Sequence, residues 1–165
     1  MSDYEKHAKR PEVADYSNFD AFIPKDKSSF TRSHITDNHF YNPVTKEHYI
    51  IELKAGGDLD NKKAKSEKVE LLKEYFLLKN ELVNTNENVK IYFATAYNKD
   101  GEDNEWKQER VKQFFADDEL LIGKKYWDFV CDDDNGFNII RDQYNKSCHY
   151  ILDALVEIKK IYNIV

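Results

Sequence analysis

A segment near the middle of the chain restricts the possible folds more than any other feature of the sequence. Residues 89–97 (VKIYFATAY) are almost all apolar or β-prone. This is the composition of an interior strand that neighbouring elements cover on both faces. The chain must therefore supply a sheet around this strand and further elements packed against it.

Two strand-like segments earlier in the chain predict a β-hairpin. Residues 34–41 and 48–55 both carry strand patterns. Between them lies Asn42-Pro43, a turn dipeptide that a central strand does not tolerate. A four-residue loop at residues 43–46 then fixes which residues of the two strands face each other.

The segment after the hairpin predicts a helix that crosses from one strand to the next. Gly56-Gly57 ends the second strand, and Asp60 or Asn61 is the expected N-cap of a helix that runs to about Leu82. The apolar positions of this helix follow helical spacing: Ala64, Leu71, Leu72, Tyr75, Phe76, Leu78 and Leu82. The order strand, strand, helix, strand predicts an α/β fold with a mixed sheet.

The remaining elements are expected to flank this sheet. The patterns predict a helix over residues 109–115, a short segment over 120–130 and a C-terminal helix over about 138–162. Five apolar side chains of the last helix are expected in the core rather than in a dimer seam: Ile151, Leu152, Leu155, Ile158 and Tyr162. The acidic residues 132–134 before it are expected to form a turn, because their spacing does not match a calcium-binding loop.

Composition and charge limit the classes of function. The two cysteines predict neither a disulfide framework nor a zinc site, and the sequence has no apolar run of membrane-spanning length and no secretory signal, so we expect an intracellular protein. The net charge of −6 argues against a nucleic-acid partner. However, lysines cluster around the predicted crossover helix at positions 62, 63, 65, 68 and 73, so the molecule can present one basic face.

The second strand of the hairpin carries the residues that point to chemistry. Glu52 and Lys54 share one face of this strand, because side chains alternate along it. A Glu-X-Lys pair alone is common on a solvated strand face. The hairpin register, however, places Asp37 directly opposite Glu52, and two carboxylates so close repel each other unless a cation compensates. We therefore expect a divalent metal at this position.

Magnesium fits these groups, since it often binds one or two carboxylates and keeps water and substrate phosphate as its other ligands. Asp37, Glu52 and the Leu53 backbone carbonyl are the predicted ligands. Lys54 is expected to orient the attacking water or help to deprotonate it, and to stabilise charge on the phosphate. Asp37, Glu52 and Lys54 thus form a predicted catalytic centre for phosphodiester hydrolysis.

The order of these residues resembles a known superfamily of nucleases. Asp37, a hairpin, Glu52-Leu53-Lys54, a helix and a buried strand are similar to the PD-(D/E)XK pattern. Residues 51–64 (IELKAGGDLDNKKA) also resemble the active-site block of type II restriction endonucleases of the TdeIII and MjaII kind. Residues 121–130 (LIGKKYWDFV) are similar to a second block, and the resemblance covers residues 34–160.

This resemblance implies a Mg²⁺-dependent enzyme that cleaves double-stranded DNA at a short specific sequence, commonly as a homodimer, in the cytoplasm of a prokaryote. It implies a single nuclease-like domain over residues 34–165, preceded by an N-terminal arm over residues 1–33. Enzymes of this type carry a longer helical region before the hairpin. We therefore expect that self-association covers the apolar surface that the short arm leaves bare, or else that this surface makes the chain poorly stable.

Two alternatives to restriction remain open: a repair or recombination nuclease of the same fold, and a catalytically silent DNA-binding or assembly domain. Lys62, Lys63 and Lys65 open the crossover helix and are predicted to bind DNA phosphate, with a solvated lysine face as the alternative. Asp58 is expected to form a turn or cap the helix rather than to serve as an outer metal ligand.

Overall fold

The computed structural model describes residues 12–23 and 36–162. The elements in these ranges are α1 (Ser17–Asp20), β1 (Asn38–Asn42), β2 (Glu47–Lys54), α2 (Asn61–Glu81), β3 (Asn88–Thr95), α3 (Glu109–Lys112), a 3-10 turn (Asp117–Glu119), β4 (Leu120–Ile122), α4 (Lys124–Cys131) and α5 (Gly136–Tyr162). No helix in these ranges combines the length and apolar character needed to cross a bilayer.

The strands form a four-stranded mixed sheet in the order β1-β2-β3-β4. β1 and β2 are antiparallel, whereas β2, β3 and β4 run parallel to one another. Parallel neighbours need a crossover connection, and α2 supplies it between β2 and β3. The predicted α/β fold with a hairpin, a crossover helix and a buried strand is therefore confirmed.

The hairpin has the predicted register. Asn42 pairs with Glu47 across the turn. The Asn42 side chain accepts hydrogen bonds from two backbone N–H groups of the turn, at 2.9 and 3.2 Å, which fixes the loop length. β1 begins at Asn38, later than the sequence predicts, and the predicted strand residues 34 and 35 lie outside the described ranges.

The turn after β2 and the start of α2 follow the predicted signals. Asp60 is the N-cap of α2, and its side chain accepts a hydrogen bond from the Lys63 backbone N–H at 2.8 Å. Gly57 has a positive φ of 73°, and a Cβ atom there would lie 2.6 Å from Cγ2 of Thr95. A larger residue at this position would be strained, so the chain leaves β2 through a turn that needs glycine.

Two predicted elements differ from the structure. α3 ends at Lys112 rather than at residue 115, and the segment over 120–130 divides into β4 and α4. Gly123 separates β4 from α4 with a positive φ of 52°. The predicted end of the crossover helix is off by one residue, and the C-terminal helix begins two residues early, at Gly136.

Helices cover both faces of the sheet. On one face, Phe93 of β3 and Leu72 of α2 belong to the same buried cluster. On the other face, Ala94 of β3 packs with Tyr126 of α4. β3 is thus enclosed on both sides, as its apolar sequence predicts.

The described part of the N-terminal segment packs against α2. Phe19 of α1 is buried in the main core cluster, and the Tyr16 ring lies 5.1 Å from the Tyr75 ring. The Ala14 backbone N–H donates a hydrogen bond to the Asp118 carboxylate at 2.8 Å. Residues 12–23 thus contribute to the core, while the division into an arm and a domain at residue 33 stays a prediction.

A buried ion pair joins α2 to the 3-10 turn. Lys68 Nζ contacts the Glu119 carboxylate, and both side chains are almost fully buried. Burial lowers the pKa of Lys68 to about 7 and raises the pKa of Glu119 to about 8, because water solvates neither charge. The expectation that Lys68 belongs to a basic surface is therefore wrong.

α5 contradicts another expectation. Its first turn is attached to α4, where the Phe137 backbone N–H donates a hydrogen bond to the Asp128 carboxylate at 3.0 Å. Every residue from His149 to Tyr162 is exposed. The prediction that Ile151, Leu152, Leu155, Ile158 and Tyr162 lie in the core is therefore wrong. Helical spacing identifies an apolar stripe but does not identify the surface that covers it.

Candidate active site

The hairpin brings the predicted acidic residues together. Asp37 directly precedes β1, and its carboxylate accepts a hydrogen bond from the Leu53 backbone N–H at 3.0 Å. This contact continues the hairpin register one step beyond the backbone pair of Asn38 with Ile51. Asp37 thereby comes opposite Glu52, close enough for its charge to act on Glu52.

Lys54 lies between two carboxylates. Its Nζ contacts the Glu52 carboxylate and lies 3.1 Å from Oε1 of Glu67. Glu52 and Lys54 come from β2, whereas Glu67 comes from α2 on the same face of the sheet. The three side chains keep between 15 and 25% of their surface exposed, so the cluster is mostly buried but solvent still reaches it.

Burial and neighbouring charge shift the ionisation of this cluster. Burial is the main cause that raises the pKa of Glu52 to about 7, and the charges of Glu67 and Asp37 add to it. Burial also lowers the pKa of Lys54, but its hydrogen bonds to the two glutamates outweigh this effect, and its pKa lies above the ordinary value. Lys54 therefore remains an ammonium ion at neutral pH.

Glu67 is a site residue that the sequence analysis missed. It follows Ala64 by three positions and precedes Leu71 by four, and both of those residues are fully buried against the sheet. Residues with these spacings share one face of a helix. A carboxylate on the buried stripe of the helix that follows Glu-X-Lys is thus the sequence signal for this position.

The two predicted carboxylate ligands each keep one oxygen atom available. Asp37 uses Oδ2 for the Leu53 N–H and Glu52 uses Oε1 for Lys54, and within the described ranges their other oxygens accept no hydrogen bond from protein. Two oxygen donors suit Mg²⁺, which completes its shell with water and phosphate. No set of three or more acidic, histidine or cysteine side chains is placed to hold a metal in residues 12–23 and 36–162. The residues present therefore fit an open magnesium site rather than a closed protein cage.

Comparison with protein families agrees with this chemistry. Residues 1–148 match a family model described as type II restriction endonuclease, HinfI. The chain belongs to the HinfI family. No curated protein and no solved structure matches it.

Membership of the HinfI family assigns the chain to the type II restriction endonucleases, which are nucleases that bind DNA. The matched residues include β1 to β4, α2 and the cluster around Lys54, and the match ends within α5. Type II restriction endonucleases generally depend on a divalent metal, which accords with the available carboxylate oxygens of Asp37 and Glu52.

Three exposed lysines of this HinfI-family chain open α2 beside the cluster. Lys62, Lys63 and Lys65 all lie within the two turns that precede Glu67. Lys63 lies four residues before Glu67, so the two side chains project from the same side of the helix. The predicted phosphate-binding lysines therefore border the candidate active site.

Asp58 lies in the turn after β2, as expected, but it does not cap α2. Its carboxylate lies 2.9 Å from Lys99 Nζ, and the N-cap of α2 is Asp60. Asp58 is largely exposed and ties the turn after β2 to the loop that follows β3. It is therefore a surface ion-pair residue in this structure.

Proposed function

We propose that this chain is a Mg²⁺-dependent type II restriction endonuclease of the PD-(D/E)XK superfamily. It hydrolyses phosphodiester bonds of double-stranded DNA at a short specific sequence and acts as a homodimer. The observation that carries the proposal is the placement of the Asp37 carboxylate on the Leu53 N–H, opposite Glu52, with Lys54 in contact with Glu52. The relation to the TdeIII and MjaII enzymes stays a prediction.

Asp37, Glu52 and the Leu53 carbonyl are the proposed metal ligands. Magnesium, when bound, supplies a Lewis acid beside the scissile phosphate. Asp37 is held for this role by the Leu53 N–H, which orients one carboxylate oxygen and leaves the other available. Glu52 supplies the second oxygen donor once it is deprotonated, because only the ionised carboxylate binds a metal strongly.

Lys54 is the proposed group that faces the reacting phosphate. Since its pKa is raised, its role is to orient water and to stabilise negative charge on the phosphate rather than to accept the proton of the water. Water attacks phosphorus and gives up its proton to solvent, the bond to the leaving oxygen breaks, and the leaving oxygen takes a proton from solvent. Glu67 is a positioning residue, since it touches Lys54 and not the reacting atoms.

Lys62, Lys63 and Lys65 are the proposed DNA-binding residues. Their position at the start of α2 puts positive charge next to the carboxylate cluster. Contacts from these lysines and from helix N–H groups to phosphate would set the register of the duplex without reading its sequence.

The test is cleavage of mixed-sequence duplex DNA with Mg²⁺ by the wild-type chain and by Glu52→Gln, Lys54→Ala and Glu47→Gln. Glu52→Gln is expected to abolish cleavage while DNA affinity stays equal or rises, because a negative charge near phosphate is lost. Lys54→Ala should abolish cleavage but keep metal binding. Glu47→Gln is the matched control, since Glu47 lies at the other end of β2 and pairs with Lys90.

Each outcome decides between functions. Discrete fragments support restriction, a smear indicates a nuclease without sequence specificity, and binding without cleavage indicates a catalytically silent domain. Ca²⁺ should support DNA binding but not cleavage, since its looser coordination positions water poorly. Undiminished cleavage by Glu52→Gln would show that the active site lies elsewhere.

A further inference from the structure

The C-terminal half of α5 stands apart from the rest of the described chain. α5 spans 27 residues, and it is exposed at every position from His149 to Tyr162. An isolated helix as short as this exposed part, about 14 residues, is marginally stable in water. The end of α5 therefore needs a surface that covers it.

The exposed side of α5 has a regular apolar stripe. Six residues follow each other at alternating separations of four and three: Tyr144, Cys148, Ile151, Leu155, Ile158 and Tyr162. The large apolar members keep between 45 and 70% of their surface exposed. This spacing is the heptad seam by which two helices pack along each other. Leu152 and Ile161 widen the seam on its two sides.

The chemistry of the stripe fits a second copy of the same helix. A symmetric dimer uses the same patch on both subunits, so a seam that is apolar along its whole length is complementary to itself. The charges of α5 nearly cancel, with four basic residues (Arg141, Lys146, Lys159, Lys160) against three acidic ones (Asp142, Asp153, Glu157). Two copies of the helix therefore do not repel each other strongly, although the whole chain is acidic.

The available area is also sufficient. Seven large apolar side chains lie on the stripe or beside it: Tyr144, Ile151, Leu152, Leu155, Ile158, Ile161 and Tyr162. If each buries about 100 Å², one helix contributes roughly 700 Å². A stable interface of standard size buries about 800 Å² per partner. Two α5 helices thus come close to this size without any contribution from the sheet domain.

We propose that α5 is the dimerisation element and that this stripe packs against α5 of a second copy. The inference rests on the homodimer proposed above and names its surface. It does not depend on nuclease activity, because the stripe lies on the far part of α5 and includes no residue of the cluster around Lys54.

Leu155→Asp and Val156→Asp form a matched pair for the test. Leu155 lies on the stripe, whereas Val156 lies outside both the stripe and its flanks, and their exposures are 52 and 50%. Neither side chain belongs to the described core, so both variants should fold, which circular dichroism and the thermal midpoint check. Leu155→Asp should weaken dimerisation at least ~100-fold, since it places charge at the seam of both copies. Val156→Asp should leave dimerisation unchanged.

The measurement is sedimentation equilibrium of the whole chain over a range of concentrations, without DNA or metal. Wild type and Val156→Asp are expected as dimers and Leu155→Asp as a monomer. A wild type that stays monomeric up to ~100 µM would overturn the proposal. So would equal weakening by both variants. Glu52→Gln should dimerise like the wild type, so that failure of the nuclease assignment and failure of the dimer surface are read from different experiments.

Discussion

Replacing Glu67 by glutamine tests how the lysine of the candidate site is held. Glutamine keeps the shape of the side chain and an acceptor oxygen but removes one of the two negative charges beside Lys54. Because the charge of Glu67 also raises the pKa of Glu52, the same change should lower that pKa from about 7. We expect Glu67→Gln to slow cleavage while metal and DNA binding persist.

The geometry sets the size of this effect. Lys54 Nζ lies 3.1 Å from the Glu67 carboxylate oxygen. Two unit charges at that distance attract each other by about 5 kcal/mol at an effective dielectric constant of about 20. Desolvation offsets much of this energy, and a hydrogen bond to a charged group contributes roughly 1.5–3 kcal/mol net. A loss of that order in the transition state corresponds to cleavage slower by roughly 10- to 100-fold.

The assay is single-turnover cleavage of duplex DNA at saturating Mg²⁺, with Ca²⁺-supported DNA binding measured in parallel. Glu70→Gln is the matched control, since it lies one turn further along α2 and its carboxylate is 2.6 Å from Lys73 near the surface. Surface pairs contribute little, so this variant should stay within about twofold of wild type. If Glu67→Gln cleaves as fast as Glu70→Gln, or fails only because α2 is destabilised in urea, the positioning role is refuted.

Three further predictions concern the metal, the buried ion pair and the turn after β2. Below pH 7 a proton competes with metal for Glu52, whose pKa is about 7, so calorimetry should find Mg²⁺ affinity rising as pH increases to about 7 and levelling off above it. Lys68→Met removes the buried hydrogen-bond partner of the Glu119 carboxyl, whose pKa is about 8, and should cost about 1–3 kcal/mol in urea unfolding; a free energy of unfolding equal to that of the wild type would contradict this. Gly57→Ala forces a Cβ against Thr95 at positive φ and should lower the free energy of unfolding by ~2 kcal/mol; an unchanged urea midpoint would contradict this.

The sheet could be predicted from the sequence because its signals are local. The separation of the two hairpin strands is fixed by the loop over residues 43–46, so the pairing of Asn42 with Glu47 follows from counting positions. The enclosed position of β3 follows from its apolar run after Lys90, where every residue is buried or partly buried. The boundaries were less accurate, since α3 and β4 are short elements whose ends depend on tertiary contacts.

The candidate site was predictable only as far as it lies on the hairpin. Asp37, Glu52 and Lys54 come together through strand alternation and register, which the sequence specifies. Glu67 comes from α2, and its contact with Lys54 depends on how this helix is rotated against the sheet. A periodic pattern of apolar residues gives that rotation only approximately, so a charged residue at the edge of the buried stripe is easily assigned to the surface.

The errors at Lys68 and on α5 have one physical origin. Residue type indicates the average environment of a side chain, not the surface that a particular fold supplies. Lys68 is buried because Glu119 and the Tyr16 hydroxyl are available to it, and Leu155 is exposed because no element of the described chain reaches it. In both cases the burial of the side chain depends on whether another element reaches it, and helical spacing carries no information about that.

The charges around Lys54 explain why DNA binding at the proposed site should depend on metal binding. Glu52 and Glu67 contact the Lys54 ammonium ion and Asp37 lies close to Glu52, so the fully ionised cluster carries excess negative charge and repels phosphate. Burial, with a smaller contribution from these charges, raises the pKa of Glu52 to about 7, so a proton on Glu52 removes part of the negative charge near neutral pH. A divalent cation bound at the proposed ligands would replace that proton and would turn the centre from one that repels phosphate into one that attracts it. The net charge of −6 would then be no obstacle at the site, since a bound cation and the lysines at the start of α2 would set the local charge balance.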